Sequence, residues 1–414
     1  MRSPFAVFDR RLLTILLIVF VQMVGTSMVH PILPLYAQNE FDMTPQAITL
    51  LLTAFFAAQF VAAPFIGRWS DRRGRLPVLI VSQVGTVIAF LMIGFAQSVA
   101  MLFFARVLDG ITGGNIVVAL AYVTDIMPES KRTQALGYVM AAFGLGFIVG
   151  PAMGGLLASQ FGPQMPFIVA AAAAFVTVAL TWFTLEETLS PEVQARNREA
   201  VRARMSPAAL LSNVPLTAVL IVTFVGHFGF GLLIGTFALF AEALLFPGYS
   251  FADVSLRVGL LLMLVGIGQF LTQIMLLPAA LRRYNDTVIV LLGAIFRAIA
   301  LFILAIAALP VFAALSMILF AIGSGLLAPA LQSLVTKTVS PALRGAILGL
   351  HQSVMNLAVI LSTAVSGALF ALDPNLPNWL GAFLYSLSLV PGIFLWLWVR
   401  NNRFNEGAGL AVSS

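Results

Sequence analysis

Twelve stretches of mostly apolar residues follow one another along this chain of 414 residues, near 12–36, 47–66, 76–96, 100–124, 133–158, 165–185, 215–243, 254–277, 287–308, 311–336, 343–371 and 379–399. Roughly twenty helical residues cross the hydrocarbon of a bilayer, about 30 Å thick. In lipid every backbone N–H and C=O must find its partner inside the chain, so runs of this length can only be helices. Only 9% of the residues are charged and 60% are apolar, whereas a soluble domain carries about 25% charge. The expected fold is an all-α membrane protein with twelve transmembrane helices.

The formal net charge of +6 invites a nucleic-acid reading, but that needs basic residues gathered on one solvent face. Here 19 of the 22 Lys and Arg fall in alternate loops and at the two ends of the chain, Arg68, Arg132, Arg283 and Arg400 among them. Lys and Arg accumulate on the untranslocated side, so both termini are expected in the cytoplasm and no nucleic acid is expected as a partner. The first apolar run has span length and lacks an A-x-A site, so it is read as a retained helix rather than a cleaved signal. The absence of cysteine rules out disulfides and thiolate metal sites. No phosphate-binding loop, metal-spaced His cluster or nucleophile elbow is present, so neither a cofactor, a metal nor an enzymatic activity is expected.

The informative residues are the polar ones inside the spans. An ionised side chain at the bilayer centre costs at least about 2.5–3.5 kcal/mol. In the fourth span Arg106 and Asp109 are three residues apart and share a helix face. About 1.5 Å per residue puts Asp109 some 13 Å below the outer end, near the midplane. They form either a self-neutralised packing pair or a functional one. Gly110 and Gly113 beside them permit close approach of another backbone, and Asn115 and Tyr122 share a different face.

The first span contributes Gln22 and His30, with Pro31 and Pro34 expected to kink or loosen its outer third. The second half contributes His227, Gln269, Gln273, Arg297, His351, Gln352 and Asn356. Arg297 is ten residues into its span, so it is expected to face the interior, where it meets either an acid or an anionic substrate.

Between the second and third spans the chain is expected to turn tightly through GRWSDRRGRLP, with Gly67 and Gly74 giving backbone freedom. Asp71 can accept from the neighbouring guanidiniums or cap a helix N-terminus, which suggests a structural or gating latch. In the fifth span Gly146, Gly150 and Gly154 recur every four residues, with Pro151 and Gly155 beside them. Small residues at that spacing form a groove for another helix.

Residues 187–214 read as a charge-balanced cytoplasmic linker forming a surface helix. It separates an N-terminal bundle, 1–186, from a C-terminal one, 215–414. The two are related in sequence: TDIMPESKRTQALG at 124–137 meets TKTVSPALRGAILG at 336–349 with a shift of 212. Asp125 then maps to Lys337, Arg106 to Ile318 and Gly150 to Ser362. An internal duplication with the site at the interface of the halves is how such carriers alternate access.

Three motifs resemble those of the major facilitator superfamily. Gly67, Asp71, Arg72, Gly74 and Arg75 match its G-x-x-x-D-R-x-G-R loop, which implies an inner gate with Asp125 as the acidic partner. RVLDGITGG resembles the R-x-x-x-G-x-x-G motif of proton-coupled members, although Asp109 stands where many carry Gln. GFIVGPAMGG is similar to the motif that marks the drug:proton antiporters, and over the whole chain the resemblance is to their tetracycline-exporter-like branch.

The resemblance implies two pseudo-symmetric six-helix bundles around a central cavity, in a bacterial cytoplasmic membrane. It implies export of a small lipophilic substrate in exchange for protons by alternating access, by a monomer embedded in membrane lipid. Many such exporters place an acid in the first span, and none occurs here between Leu12 and Tyr36. The proton carrier is therefore sought in Asp109, then His30 or His227, and Gln22, Asn115, Tyr122, Gln269, Gln273, Arg297 and Asn356 are the candidate substrate contacts. A lipid or lysolipid flippase on the same fold is the alternative, and a non-transporting sensor a third.

Overall fold

The computed structural model describes residues 10–113, 115–189, 213–307, 309–339 and 344–402. The first half contains α1 (Arg10–Phe41), α2 (Pro45–Arg73), α3 (Arg75–Gly94), α4 (Val99–Thr112), α5 (Asn115–Ile126), α6 (Glu129–Phe161) and α7 (Met165–Thr184). The second begins with α8 (Val214–Phe240), which runs into a π-helical turn at Ala241–Leu245. There follow α9 (Phe251–Leu271), a second π turn at Thr272–Leu276, and α10 (Leu277–Leu281). The chain continues through α11 (Asp286–Ala305), α12 (Pro310–Lys337), α13 (Arg344–Leu372) and α14 (Leu376–Asn402). Among the described residues twelve helical stretches are long and apolar enough to cross a membrane. The linker helix expected beyond Leu189 lies mostly outside the described residues.

Local chemistry sets several of these boundaries. Thr44 accepts from the Ala47 N–H at 3.3 Å, with Pro45 as the first helical residue of α2. Ser98 caps α4 through Met101 N at 3.2 Å, Asn213 caps α8 through Leu216 N at 3.1 Å, and Asn285 caps α11 through Val288 N at 3.0 Å. Each side-chain oxygen satisfies a donor that a helix start leaves unpaired.

Helix α1 runs as one α-helix through Pro31 and Pro34. One sequence expectation is corrected. The tight turn expected over GRWSDRRGRLP is a single residue, Gly74, since α2 continues to Arg73 and α3 begins at Arg75. Arg72 and Arg73 lie in the last turn of α2, where cations suit the helix dipole. Gly67 is ordinary helix, and an added Cβ there meets nothing within 4 Å. In the fourth span α4 is described to Thr112 and α5 from Asn115, with Gly113 a turn residue after α4.

The chain divides into two compact units, one of Met1–Arg202 with Gly248–Met263, the other of Ala203–Pro247 with Leu264–Ser414. The first part of α9 thus belongs to the first unit. Both units use one packing scheme. In the first, α1 lies along α6 and α7, while α3 lies along α7 and α4. In the second, α8 lies along α13 and α14, while α11 lies along α14 and α12. The sequence duplication is therefore also a duplication of helix pairing. Each unit has an apolar core near the end that carries its basic loops, around Leu12, Val78, Val118 and Val139 in the first and Leu216, Ile289, Leu331 and Val335 in the second.

Candidate transport site

Arg106 and Asp109 form the most buried ion pair in the first unit. Arg106 Nη1 donates to Asp109 Oδ2 at 2.6 Å, and the two side chains are 2% and 3% exposed. The guanidinium carbon lies 4.2 Å from the centre of the Phe55 ring on α2, a cation–π contact that strengthens when water is excluded. Arg106 Nε is buried and has no hydrogen-bond partner. On α1, His30 Nδ1 is likewise buried without a partner, and its ring centre is 6.4 Å from that of Phe147 on α6. His30 is also close enough to Arg106 to feel its charge. The pair thus cancels its charge but leaves a donor on one side, with an imidazole nearby.

The ion pair sits one turn before Gly113, whose N–H donates to Asp109 O at 2.7 Å and whose carbonyl accepts from Gln59 Nε2 of α2 at 3.1 Å. Gly110 has no room for a side chain, because a Cβ there would overlap the Phe55 carbonyl and come within 2.8 Å of Ala58 Cβ. Gln59, a lone amide four residues beyond Phe55 in an apolar span, is thus tied to the backbone just past Asp109, and its isolation in that span is the sequence signal for such a role.

The glycine motif of α6 has two faces. Gly146, Gly150 and Gly154 seat α1: a Cβ on Gly146 would lie 2.6 Å from Met23 Cβ, and one on Gly154 would lie 2.9 Å from Met28 O. Ser27 fills the place of a Gly150 side chain and donates to Gly146 O at 3.1 Å. The other face, Pro151 and Gly155, seats the first part of α9. A Cβ on Gly155 would lie 3.1 Å from Leu256 Cα, and one on Gly259 of α9 would lie 2.4 Å from the Pro151 carbonyl oxygen. The groove is thus filled on both sides by backbone.

At the basic end of the unit Arg75 is the hub. It donates to Asp71 Oδ1 at 2.7 Å, to Asp125 Oδ2 at 2.9 Å and to Ser70 Oγ at 3.0 Å. The residues after α7, which the sequence reading treated only as the start of a linker, fold onto this hub. Glu187 accepts from Arg75 N at 2.9 Å and Leu76 N at 3.1 Å, and Thr188 Oγ1 donates to Asp125 Oδ2 at 3.1 Å. Arg11 pairs with Glu186. Tyr122, placed among the substrate contacts, instead donates its hydroxyl to Glu186 O at 3.0 Å and is 0% exposed; the demand of a buried phenol for an acceptor explains its place. Arg72 is exposed on α2.

In the second unit Arg297 has no acidic partner among the described residues, contrary to one of the two expectations for it. Its Nε and Nη2 donate to Ser324 Oγ at 3.0 and 2.7 Å, and its Nη1 donates to Gly226 O at 3.1 Å and Tyr385 Oη at 3.0 Å. Tyr385 in turn donates to Gly226 O at 2.6 Å. His227 bonds through Nδ1 to Thr223 O at 2.9 Å, and Gln352 Nε2 donates to Asn356 Oδ1 at 3.1 Å. Gln22, Gln269 and Gln273 are half-buried on α1, on α9 and in the second π turn, whereas the side chain of Asn115 lies outside the described residues. The candidate residues are therefore divided between two units: Arg106 bonds Asp109 in the first, while in the second Arg297 and His227 bond the α8 carbonyls of Gly226 and Thr223.

A family model described as the Major Facilitator Superfamily matches residues 15–252. The tetracycline resistance protein, class D, of Salmonella ordonez is 30% identical over 380 residues, covering 90% of this chain and 94% of that protein. Multidrug resistance protein 2 of Bacillus subtilis (strain 168) is 26% identical over 399 residues, covering 95% of each. Among solved structures, the human organic anion transporter MFSD10 superposes with a TM-score of 0.67 at 21% identity, covering 95% of this chain and 100% of that one. The peptide transporter POT in complex with sulfate gives a TM-score of 0.78 at 14% identity, covering 98% of each. These last two likenesses concern the fold. With twelve spans, the duplicated bundle and relatives of matching length, this integral membrane protein belongs to the Major Facilitator Superfamily and is a transporter on its tetracycline- and multidrug-resistance-like branch.

Proposed function

We propose that this protein exports lipophilic small molecules in exchange for protons, by alternating access, from a bacterial cytoplasmic membrane with both termini inside. The observation that carries this reading is the Arg106–Asp109 pair, 2.6 Å apart and excluded from solvent in an apolar span. Asp109 is a carboxylate whose charge is balanced by one partner in a low-dielectric surround. Binding a proton there removes one charge of a matched pair and frees Arg106, so protonation and conformation are coupled through electrostatics that water does not screen. His30, with its buried and unpartnered Nδ1, is our candidate to relay that proton. The names of the resistance-protein relatives support the direction and the substrate class, and they do not favour the flippase alternative.

The gating role belongs to Arg75 with Asp71 and Asp125, which must part or re-form if the ends of α2, α3 and α5 move. The test is export in proteoliposomes under an imposed proton gradient, against a panel of tetracyclines and lipophilic dyes. Asp109→Asn keeps substrate binding and loses gradient-driven export. Undiminished gradient-driven flux in that variant removes Asp109 from the mechanism.

A further inference from the structure

We propose that Arg297 sets the charge preference of transport, so that this protein carries lipophilic anions and neutral molecules and discriminates against lipophilic cations. The proposal rests on the reading of the chain as an exporter of lipophilic molecules and names the class of molecule. Arg297 is in the middle of α11 and 5% exposed. Every group that holds it is neutral: the Ser324 hydroxyl, the Gly226 carbonyl, the Tyr385 hydroxyl, and the rings of Phe320 and Tyr385, whose centres lie 4.9 and 5.4 Å from its guanidinium carbon.

Among the described residues no acid bonds to this cluster, and the acid on the same helix, Asp286, lies eleven residues before Arg297 and is paired with Lys337 at 2.9 Å. His227 senses both Arg297 and His351, and an imidazole is either neutral or cationic. His351 Nε2 is buried with no hydrogen-bond partner. The nearest acid along α8 and its π turn is Glu242, fifteen residues past His227, or about 22 Å along a helix. The first unit differs, because there the buried Arg106 is cancelled by Asp109. The cluster in the second unit keeps a full positive charge.

Packing does not account for it. At the shift of 212 that relates the halves, Arg297 and Ser324 correspond to Gly85 and Thr112, which touch so closely that Gly85 admits no side chain. In the second unit space has been made for a guanidinium. A Cβ on Gly323 would come 2.8 Å from Arg297 Cγ, and one on Gly229 would come 2.5 Å from the Tyr385 ring. A neutral amide, with two N–H donors, could keep one bond each to Ser324 and Gly226; arginine adds the remaining donors and a charge. At an effective dielectric of about 20, a unit charge some 10 Å away changes the occupancy of a singly charged ligand by roughly tenfold, in opposite senses for anion and cation.

The experiment uses the full-length protein in proteoliposomes under an imposed proton gradient, with fluorescein as the anion, chloramphenicol as the neutral molecule and ethidium as the cation. The wild type is expected to carry fluorescein and chloramphenicol, and ethidium at least about tenfold less well. Arg297→Gln should lower fluorescein flux about tenfold relative to chloramphenicol and raise ethidium, while Arg297→Lys keeps the wild-type order. Tyr385→Phe removes one bond of the cage and leaves the ratios unchanged. Ser324→Asp sets an acid against an intact Arg297, so it provides a second route to the same loss of preference should Arg297→Gln fold poorly. Equal carriage of ethidium and fluorescein by the wild type, or an equal loss of all three substrates in Arg297→Gln and no change of ratio in Ser324→Asp, overturns the proposal. Absence of flux for all three in the wild type overturns the exporter reading beneath it.

Discussion

The carboxylate of Glu187 occupies the space that a side chain at Gly74 would need, and its two oxygens take the first two backbone N–H groups of α3, Arg75 N at 2.9 Å and Leu76 N at 3.1 Å. An acid at a helix N-terminus satisfies donors the helix cannot and meets the positive end of its dipole. Gly74 has φ 106° and ψ 159°, a region essentially closed to side chains. Two independent reasons thus require glycine at one residue.

Gly74→Ala should lower stability by about 1–3 kcal/mol, from backbone strain plus displacement of Glu187. Thermal unfolding in detergent measures it. In a Glu187→Ala background the same substitution should cost less, because only the strain remains; an undiminished cost would show that the two residues do not compete for space.

Removing Arg106 alone should be worse than removing the pair. Arg106→Ala leaves a buried carboxylate uncompensated, at about 3–5 kcal/mol, whereas Arg106→Ala with Asp109→Asn leaves two neutral groups. Expression and melting temperature should partly recover in the double variant while gradient-driven export stays absent.

The α6 glycines should sort by what faces them. Gly150→Ala meets the Ser27 side chain and the Val24 carbonyl, and should cost about 1–3 kcal/mol through overpacking. Gly144→Ala, with nothing within 4 Å of its Cβ, should be neutral or slightly stabilising. Melting temperatures of the two variants, side by side, decide it.

Gln59→Leu should leave the Gly113 carbonyl without its donor at 3.1 Å. An unmet buried acceptor costs about 1–3 kcal/mol. Because that carbonyl follows Asp109 by one turn, export should fall more than stability does; Gln59→Asn, which is one methylene too short, should resemble the leucine variant.

The spans, the duplication and the Arg106–Asp109 contact were legible because they depend on length, repetition and helical spacing, which the order of residues states outright. The identity of what each glycine touches was not. Gly67 and Gly74 look alike in the sequence, yet one is open helix and the other is held between strain and a carboxylate from more than a hundred residues away. Glu187 could not be assigned for the same reason: an acid beside a run of mixed charge looks like solvated linker until the fold brings α3 to it. The bond from Gln59 to the Gly113 carbonyl was hidden because it depends on how α2 lies against α4, which neither span states by itself. Arg297 was recognised as interior, but its neutral surroundings depend on Ser324 and Tyr385, each unremarkable in its own span.

The short segment from Leu185 to Leu189 alters where force enters the first bundle. The chain is fastened by Glu186 to Arg11 and Tyr122, and by Glu187 and Thr188 to the start of α3 and to Asp125. A pull from beyond Leu189 therefore reaches Arg75 and its two acids before it reaches α7. The last helix of the bundle is shielded, and the load falls on the charged hub.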